Sequence, residues 1–335
     1  MTVNGASSIG LSFGVANFDA GTTAANANIT ANGGTGQGAH GGGVYFLSRA
    51  TASNATVTAN GGTNGGMGGL ISFVGDSVGG KVRLTILANA RLDLRLQNAP
   101  GLSVGSLAGD GSVLLGANNL TVGANDLSTS FSGGIQDGAG YSGGSLSKIG
   151  RGTLILSNPN KYTGGTVVSG AGALFVNSKT SSGTGSGSVS VVSGSLGGAG
   201  LIAESVSIGT GAGSGASLAP GKNKITPGVL TIGGSLSLAG DATYLWKIDS
   251  ATAKGAQVSA AGVTIQSAFF SPSEVRAGAI TTGTVLTVIN NISLAPIAGA
   301  FTNLPDGAII IVGSNTFQAN YEGGDGNDLT LTVVP

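Results

Sequence analysis

The sequence predicts an all-β solenoid, a parallel β-helix, and three observations predict it. The first is composition. Glycine supplies 64 of 335 residues, which is 64/335 or about 19%, against a usual ~7%. Yet 40% of the chain is hydrophobic and the formal net charge is zero, too apolar for a solvated random coil. No Gly-X-Y period is present, which excludes collagen. The second is a repeat: TAANANITANGGT (Thr23–Thr35) returns as TASNATVTANGGT (Thr51–Thr63), so Asn26 maps onto Asn54 at an offset of 54 − 26 = 28. The third is a leucine beat, Leu154, Leu174, Leu196, Leu218 and Leu238, spaced 20, 22, 22 and 20.

Each observation has a structural cause. The 28-residue offset also carries Gly38 to Gly66 and Phe18 to Phe46, and stepping back from Thr30–Gly33 lands on Thr2–Gly5. The chain thus starts inside a repeat and reads as a fragment of a longer protein. The leucines sit in short alternating runs such as TLILS and SLSLAG. Alternation puts apolar side chains on one strand face and Ser or Thr on the other. Gly-Gly, Asn-Pro and Gly-Ser pairs between the runs supply tight bends. A period of 20–30 residues built this way is a stack of coils, each burying its aliphatics against the next. No stretch has a capped helical stripe; SPSEVRAGAI (271–280) is expected to give one helical turn.

Residues 1–240 are assigned to the coils. From 241 to 335 the character changes: the chain's one Trp stands in TYLWKID, strands lengthen, and Tyr244, Trp246, Phe269, Phe270, Phe301, Phe317 and Tyr321 accumulate. This region is expected to cap the stack with β structure, burying Trp246 and the Phe269–Phe270 pair. A sugar-stacking surface is the other use for these aromatics.

Composition excludes several functions. Zero net charge and scattered Lys and Arg give no electrostatic drive toward nucleic acid. No apolar run approaches the ~20 residues of a membrane helix, so no membrane insertion is expected of this segment. The start, MTVNGASSIG, lacks the charged-then-apolar order of a signal peptide. Without Cys there are no disulfides or thiolate metal sites.

Catalytic signals are weak. GxSxG occurs four times, from Gly10, Gly75, Gly101 and Gly140, in a chain rich in both residues, with His40 as the one histidine. GxGxxG occurs at Gly36-Gly38-Gly41 and Gly138-Gly140-Gly143 without a following helix pattern. His40 alone makes a poor zinc site and is read as a turn or surface residue. The 14 carboxylates are dispersed, without the facing pair of a glycosidase. GGDGNDLTL (Gly323–Leu331) fits one copy of the calcium nonapeptide, with Thr330 in place of its large apolar residue and Asp325 and Asp328 as the candidate metal ligands. Such sites draw their oxygens from successive copies, so a turn capped by the two aspartates is the favoured reading. No cofactor is expected.

LSKIGRGTLILSNPNKYTGGTVV (Leu146–Val168) resembles the passenger-associated repeat, or autotransporter-associated β-strand repeat, of bacterial autotransporters. The matching residues are Leu146, Lys148, Gly150, Gly152, Thr153, Leu154, Leu156, Ser157, Asn160, Tyr162, Thr163, Gly164, Gly165, Thr166 and Val168. One residue more than the pattern separates them from Leu174. Leu107–Gly133, Leu218–Leu238 with an inserted KNKIT, Asn303–Ala308 and Tyr321–Val334 are similar to other segments of such passengers. The resemblance implies a right-handed parallel β-helix, exported and displayed at or beyond the bacterial outer membrane. It also implies that 241–335 holds the place of an autochaperone region. The family's membrane β-barrel has no counterpart here, which again reads as a fragment or a detached passenger. The expected function is a non-catalytic structural or adhesive surface segment whose partners are host or matrix glycans or proteins. The alternatives are a self-associating subunit of an extracellular filament or sheath, and a carbohydrate-active β-helix enzyme.

Overall fold

Short alternating strands lie in parallel register through most of the chain, as a β-helix requires. The computed structural model describes residues 1–213, 215–223 and 225–335; Lys224 of the KNKIT insertion lies outside them. The structure is nearly all β, and the one helical element among the described residues is a single 3₁₀ turn, Ser250–Thr252. The chain forms two compact units, residues 1–166 with 185–187, and 167–184 with 188–335.

In the first unit one sheet stacks Thr2–Val3, Asn28–Ala31, Thr56–Ala59, Arg83–Ile86, Ser106–Gly109, Thr129–Phe131 and Thr153–Leu156. A second stacks Val15–Phe18, Gly43–Phe46, Leu70–Phe73, Arg91–Asp93, Ser112–Leu114 and Gly134–Gln136. A third side carries Gly101–Val104, Asn119–Val122 and Ser145–Lys148. Register follows the repeat: Thr2 pairs Thr30, Thr30 pairs Thr58, and Phe18 pairs Phe46.

Inward positions form columns of like residues. Val44, Ile71, Leu92, Val113 and Ile135 follow one another in register, all fully buried. Burying each such side chain contributes about 1.5–3 kcal/mol. Phe18, Phe46 and Phe73 stack with ring centroids 4.9 and 4.7 Å apart. At one corner the Asn32 amide donates to Asn4 and the Asn60 amide to Asn32, both at 2.8 Å. Successive backbones approach closely beside this ladder. A Cβ on Gly33 would lie 2.3 Å from the Gly62 nitrogen, which is why the NGG corner recurs without side chains.

In the second unit Ala173–Val176, Gly194–Gly198, Ala216–Pro220, Ala242–Asp249 and Phe269–Arg276 form one parallel stack. Val189–Val191, Val206–Ile208, Leu236–Leu238, Val263–Gln266 and Ala298–Ala300 form another. A third sheet starts parallel with Leu201–Ile202, Val229–Ile232, Gln257–Ala260 and Val285–Asn291. It then turns antiparallel through Asp328–Val334, Asn315–Gly323 and Ile309–Val312.

The leucine beat divides between two sheets, and two expectations are corrected. Leu174, Leu196 and Leu218 do stack in register, but Leu238 does not continue their column. Tyr244 does, followed by Phe270, while Leu238 pairs Ile208 and Ile265 in a different sheet. Equal spacing cannot distinguish one coil side from another when corner lengths vary. Residues 271–276 are not a helical turn but part of the eight-residue strand Phe269–Arg276, held by parallel pairing to Ala242–Asp249. Finally, Phe270 is buried but Phe269 is 51% exposed, because adjacent strand residues face opposite ways.

The late aromatics form a core rather than a surface. Tyr244, Trp246, Phe270, Phe301 and Phe317 are all buried. Trp246 lies 5.9 Å from both Phe270 and Phe317, edge-on to the latter, and its Nε1–H donates to the Ala256 carbonyl at 2.9 Å. The Tyr244 hydroxyl donates to the Val288 carbonyl at 2.9 Å.

Candidate functional site

The 146–168 stretch builds a coil. Leu146 is stacked under Leu120 and Leu102, and Lys148 under Val122 and Val104, so the lysine occupies an inward position. It is buried, and its Nζ donates to the Ile149 carbonyl at 2.5 Å. Asn160 Oδ1 accepts the Ile135 N–H at 2.7 Å. The buried Tyr162 hydroxyl meets Thr166 Oγ1 at 2.6 Å, and burial pushes its ionisation well above the usual range. Thr163 donates its hydroxyl to Asp137 Oδ2 at 2.7 Å. These side chains satisfy backbone and hydroxyl groups that the turn buries, which a coil interior demands.

Burial lowers the Lys148 amine to about 8, against an opposing pull from the Asp126 charge. Its folded pKa is thus below its unfolded one. The unfolded chain binds more protons between about pH 8 and the ordinary lysine value near ~10.4, and stability rises with pH across that window. Lys148→Met is expected to abolish this rise. In urea unfolding, the stability gap between variant and wild type is expected to be constant below about pH 8 and to shift toward the wild type above it. A gap independent of pH from 7 to ~10 would refute the buried ammonium.

The carboxylates are largely occupied with turns. Asp110 accepts the Ala88 N–H and Asp126 the Arg151 N–H, both at 2.7 Å. Asp306 accepts the Tyr321 N–H. Asp241 accepts N–H groups of Thr210, Gly211 and Gly213; burial opposes its ionisation, but this donation outweighs it and lowers the pKa. Asp93 is held by Arg95 through Nε at 3.0 Å and Nη2 at 2.7 Å.

Asp328 is buried, and its Oδ1 accepts the Asn291 N–H at 2.8 Å. Burial raises its pKa, the Asn291 bond works against this, and the Asp325 charge adds to it. Asp325 is exposed. Among the described residues no three His, Asp or Glu side chains gather as a metal set. Of the GxSxG serines, Ser77 is buried and donates to Gln97 Oε1 at 2.9 Å. His40 is exposed, with its ring 5.3 Å from that of Phe13.

His40 does have a setting that the sequence did not reveal. It lines a groove of about 400 Å³ in the first unit with Phe13, Tyr45, Met67, Leu70 and Arg91. Strand alternation positions them. Val44 and Phe46 face the core, so Tyr45 faces out; Gly43, Leu70 and Arg91 share one outward column. Gly43 leaves room for the tyrosine ring, since a Cβ there would lie 2.5 Å from Tyr45 Cε2. Among the described residues Arg91 makes no ion pair within 4 Å. Aromatic faces beside a guanidinium can stack on a sugar ring and hold an acidic or hydroxyl substituent. The readable signal was an aromatic at an outward position of an alternating strand.

The fold defines the class: a parallel β-helix repeat protein. Beyond that class, the chain matches no family model and no curated protein. No helix among the described residues is long and apolar enough to cross a membrane.

Proposed function

We propose that this chain is a non-catalytic β-helical segment of an exported bacterial surface protein of the autotransporter passenger kind, and that it presents a glycan-binding groove. The observation that carries the adhesive reading is the groove itself, with Phe13, Tyr45, His40 and Arg91 around an open amphipathic space. The use of the carboxylates in turns supports a non-catalytic role, because each one tied to backbone N–H groups is unavailable to pair across a cleft. Residues 241–335, with their antiparallel strands and aromatic core, act as cap and folding template in this reading.

Glycan-array binding by the full chain, followed by titration of the best ligand, tests it. Tyr45→Ala and Arg91→Ala are each expected to weaken binding by about tenfold or more, which corresponds to ~1.4 kcal/mol. The bound glycan is expected to be recovered intact by mass spectrometry. Equal binding by both variants, or release of shorter sugars, overturns the proposal. Protease shaving of the producing cells is expected to remove the chain from their surface; full protection in intact cells would contradict export.

One observation favours self-association as a second reading. Ile309–Val312 is an edge strand with Ile309 55% and Ile311 73% exposed, and such edges template pairing with another chain. Light scattering across concentration separates the two readings.

A further inference from the structure

The strand Ala242–Asp249 turns Tyr244, Trp246 and Ile248 into the core of the second unit. Its alternate residues, Leu245 and Lys247, therefore lie on the outer side of that sheet. Lys247 is nevertheless only 7% exposed, and its Nζ is buried with no hydrogen-bond partner among the described residues. No acid answers it. The two ion pairs among the described residues are Arg95–Asp93 and Arg276–Asp249, and burial alone lowers the Lys247 amine, with no acidic charge opposing it. On the neighbouring strand it faces Ser273, while Glu274 pairs Ile248. An ammonium in this position has given up water without gaining an acceptor, which is costly.

Lys247 also lines a cavity of about 320 Å³ on this sheet, with Phe175, Leu245, Ala173, Ser195 and Gly172 among its walls. Phe175 and Ala173 are each only 2% exposed, so the aromatic ring is sheltered within the fold. The in-register run Ala173, Ser195 and Ser217 presents small residues beside it, and Gly197 sits under the Phe175 ring, where a Cβ would lie 2.7 Å from Cε1. Small residues at these positions leave the space open. The walls are thus mostly apolar, with one cation and the Ser195 hydroxyl as polar groups.

We propose that this cavity is a binding site for a small organic acid, a compact apolar or aromatic body carrying one carboxylate, with the Lys247 ammonium, covered in this structure, turning into the cavity to receive the carboxylate while Leu245 and Phe175 bound the space for the apolar body. A carboxylate supplies the charge-assisted partner that the lysine lacks, and such a pair is strengthened where water is excluded. A volume near 300 Å³ falls at the small end of ligand sites and suits a single ring. This site is separate from the Tyr45 groove and does not depend on the glycan reading.

Titration of the full chain with sodium benzoate, followed by calorimetry and by the NMR signal of the Lys247 side chain, tests it. Benzamide, of the same shape but uncharged, is the control. Saturable benzoate binding with a dissociation constant below ~10 mM is expected, with benzamide weaker by at least about tenfold. Benzoate is also expected to raise the Lys247 pKa in the wild-type protein, because an adjacent anion favours the ammonium. Lys247→Met is expected to weaken benzoate by about tenfold or more while leaving benzamide unchanged. Equal affinity for benzoate and benzamide, an unmoved Lys247 pKa at saturation, or no saturable binding below that concentration each overturns the site. The wild-type pKa measurement decides the matter even where the variant folds poorly.

Discussion

Trp246→Ala is expected to be the most damaging single change in the second unit. Truncating a fully buried tryptophan costs about 3–5 kcal/mol through lost transfer energy and the cavity it leaves. Here the ring also touches Phe270 and Phe317 and donates to the Ala256 carbonyl, so the variant leaves that buried acceptor without its partner. Hydrogen exchange is the suitable measurement, because it reports local opening without relying on a single cooperative transition. Amides of Ala242–Asp249 and Phe269–Arg276 are expected to lose protection by two to three orders of magnitude, on the order of 3–4 kcal/mol. Phe269→Ala is the internal control. Its side chain is half exposed, on the face opposite Phe270 in the neighbouring strand Phe269–Arg276, and its effect is expected to stay within about 1 kcal/mol. Similar losses from Phe269→Ala and Trp246→Ala would contradict the facing of this strand. If amides around Trp246 exchange fastest in the wild-type chain, the proposed capping and nucleating role is wrong.

Phe46→Ala is expected to have a comparable effect in the first unit. Phe46 is completely buried and stacked on both faces, against Phe18 and Phe73. Its removal breaks two ring contacts as well as opening a cavity, for about 3–5 kcal/mol. Phe18→Ala is expected to cost less, because Phe18 is half-buried and has one stacked neighbour. The ladder also predicts coupling: Phe46→Ala and Phe73→Ala together are expected to cost less than the sum of their single effects by about 0.5–1.5 kcal/mol, the usual worth of an aromatic pair. Additive effects in urea or hydrogen-exchange measurements would mean the stacking contributes nothing beyond buried area.

Much of this architecture was legible in the residues alone. A chain that places Thr30 28 residues after Thr2 and Thr58 28 after that can pair like with like by stacking coils. Strand alternation then dictates which side chains face in, as Val44 and Phe46 do while Tyr45 faces out. These are local properties, set by the two-residue period of a strand and the corner-forming tendency of glycine and asparagine. The leucine beat shows where local reading stops. Leu218 and Leu238 are separated by one beat, yet they lie in different sheets, because the number of residues spent on each corner decides which side of the coil a strand joins. Strand Phe269–Arg276 makes the same point: its Ser-Pro-Ser-Glu middle, residues 271–274, has little intrinsic strand preference, and pairing to Ala242–Asp249 overrides it.

The sites were the least legible part. The sequence by itself determined that the chain is a repetitive β solenoid with dispersed charges and one histidine. Only the tertiary structure decided that Phe13, His40, Tyr45 and Arg91, spread over 78 positions (91 − 13), meet in one groove. It likewise decided that Lys148 lies inward and Lys247 is buried without a partner. The reason is physical. Periodicity specifies which face of a strand a residue takes, but a site needs several faces at one height of the stack, and that depends on corner lengths and register that no single segment encodes.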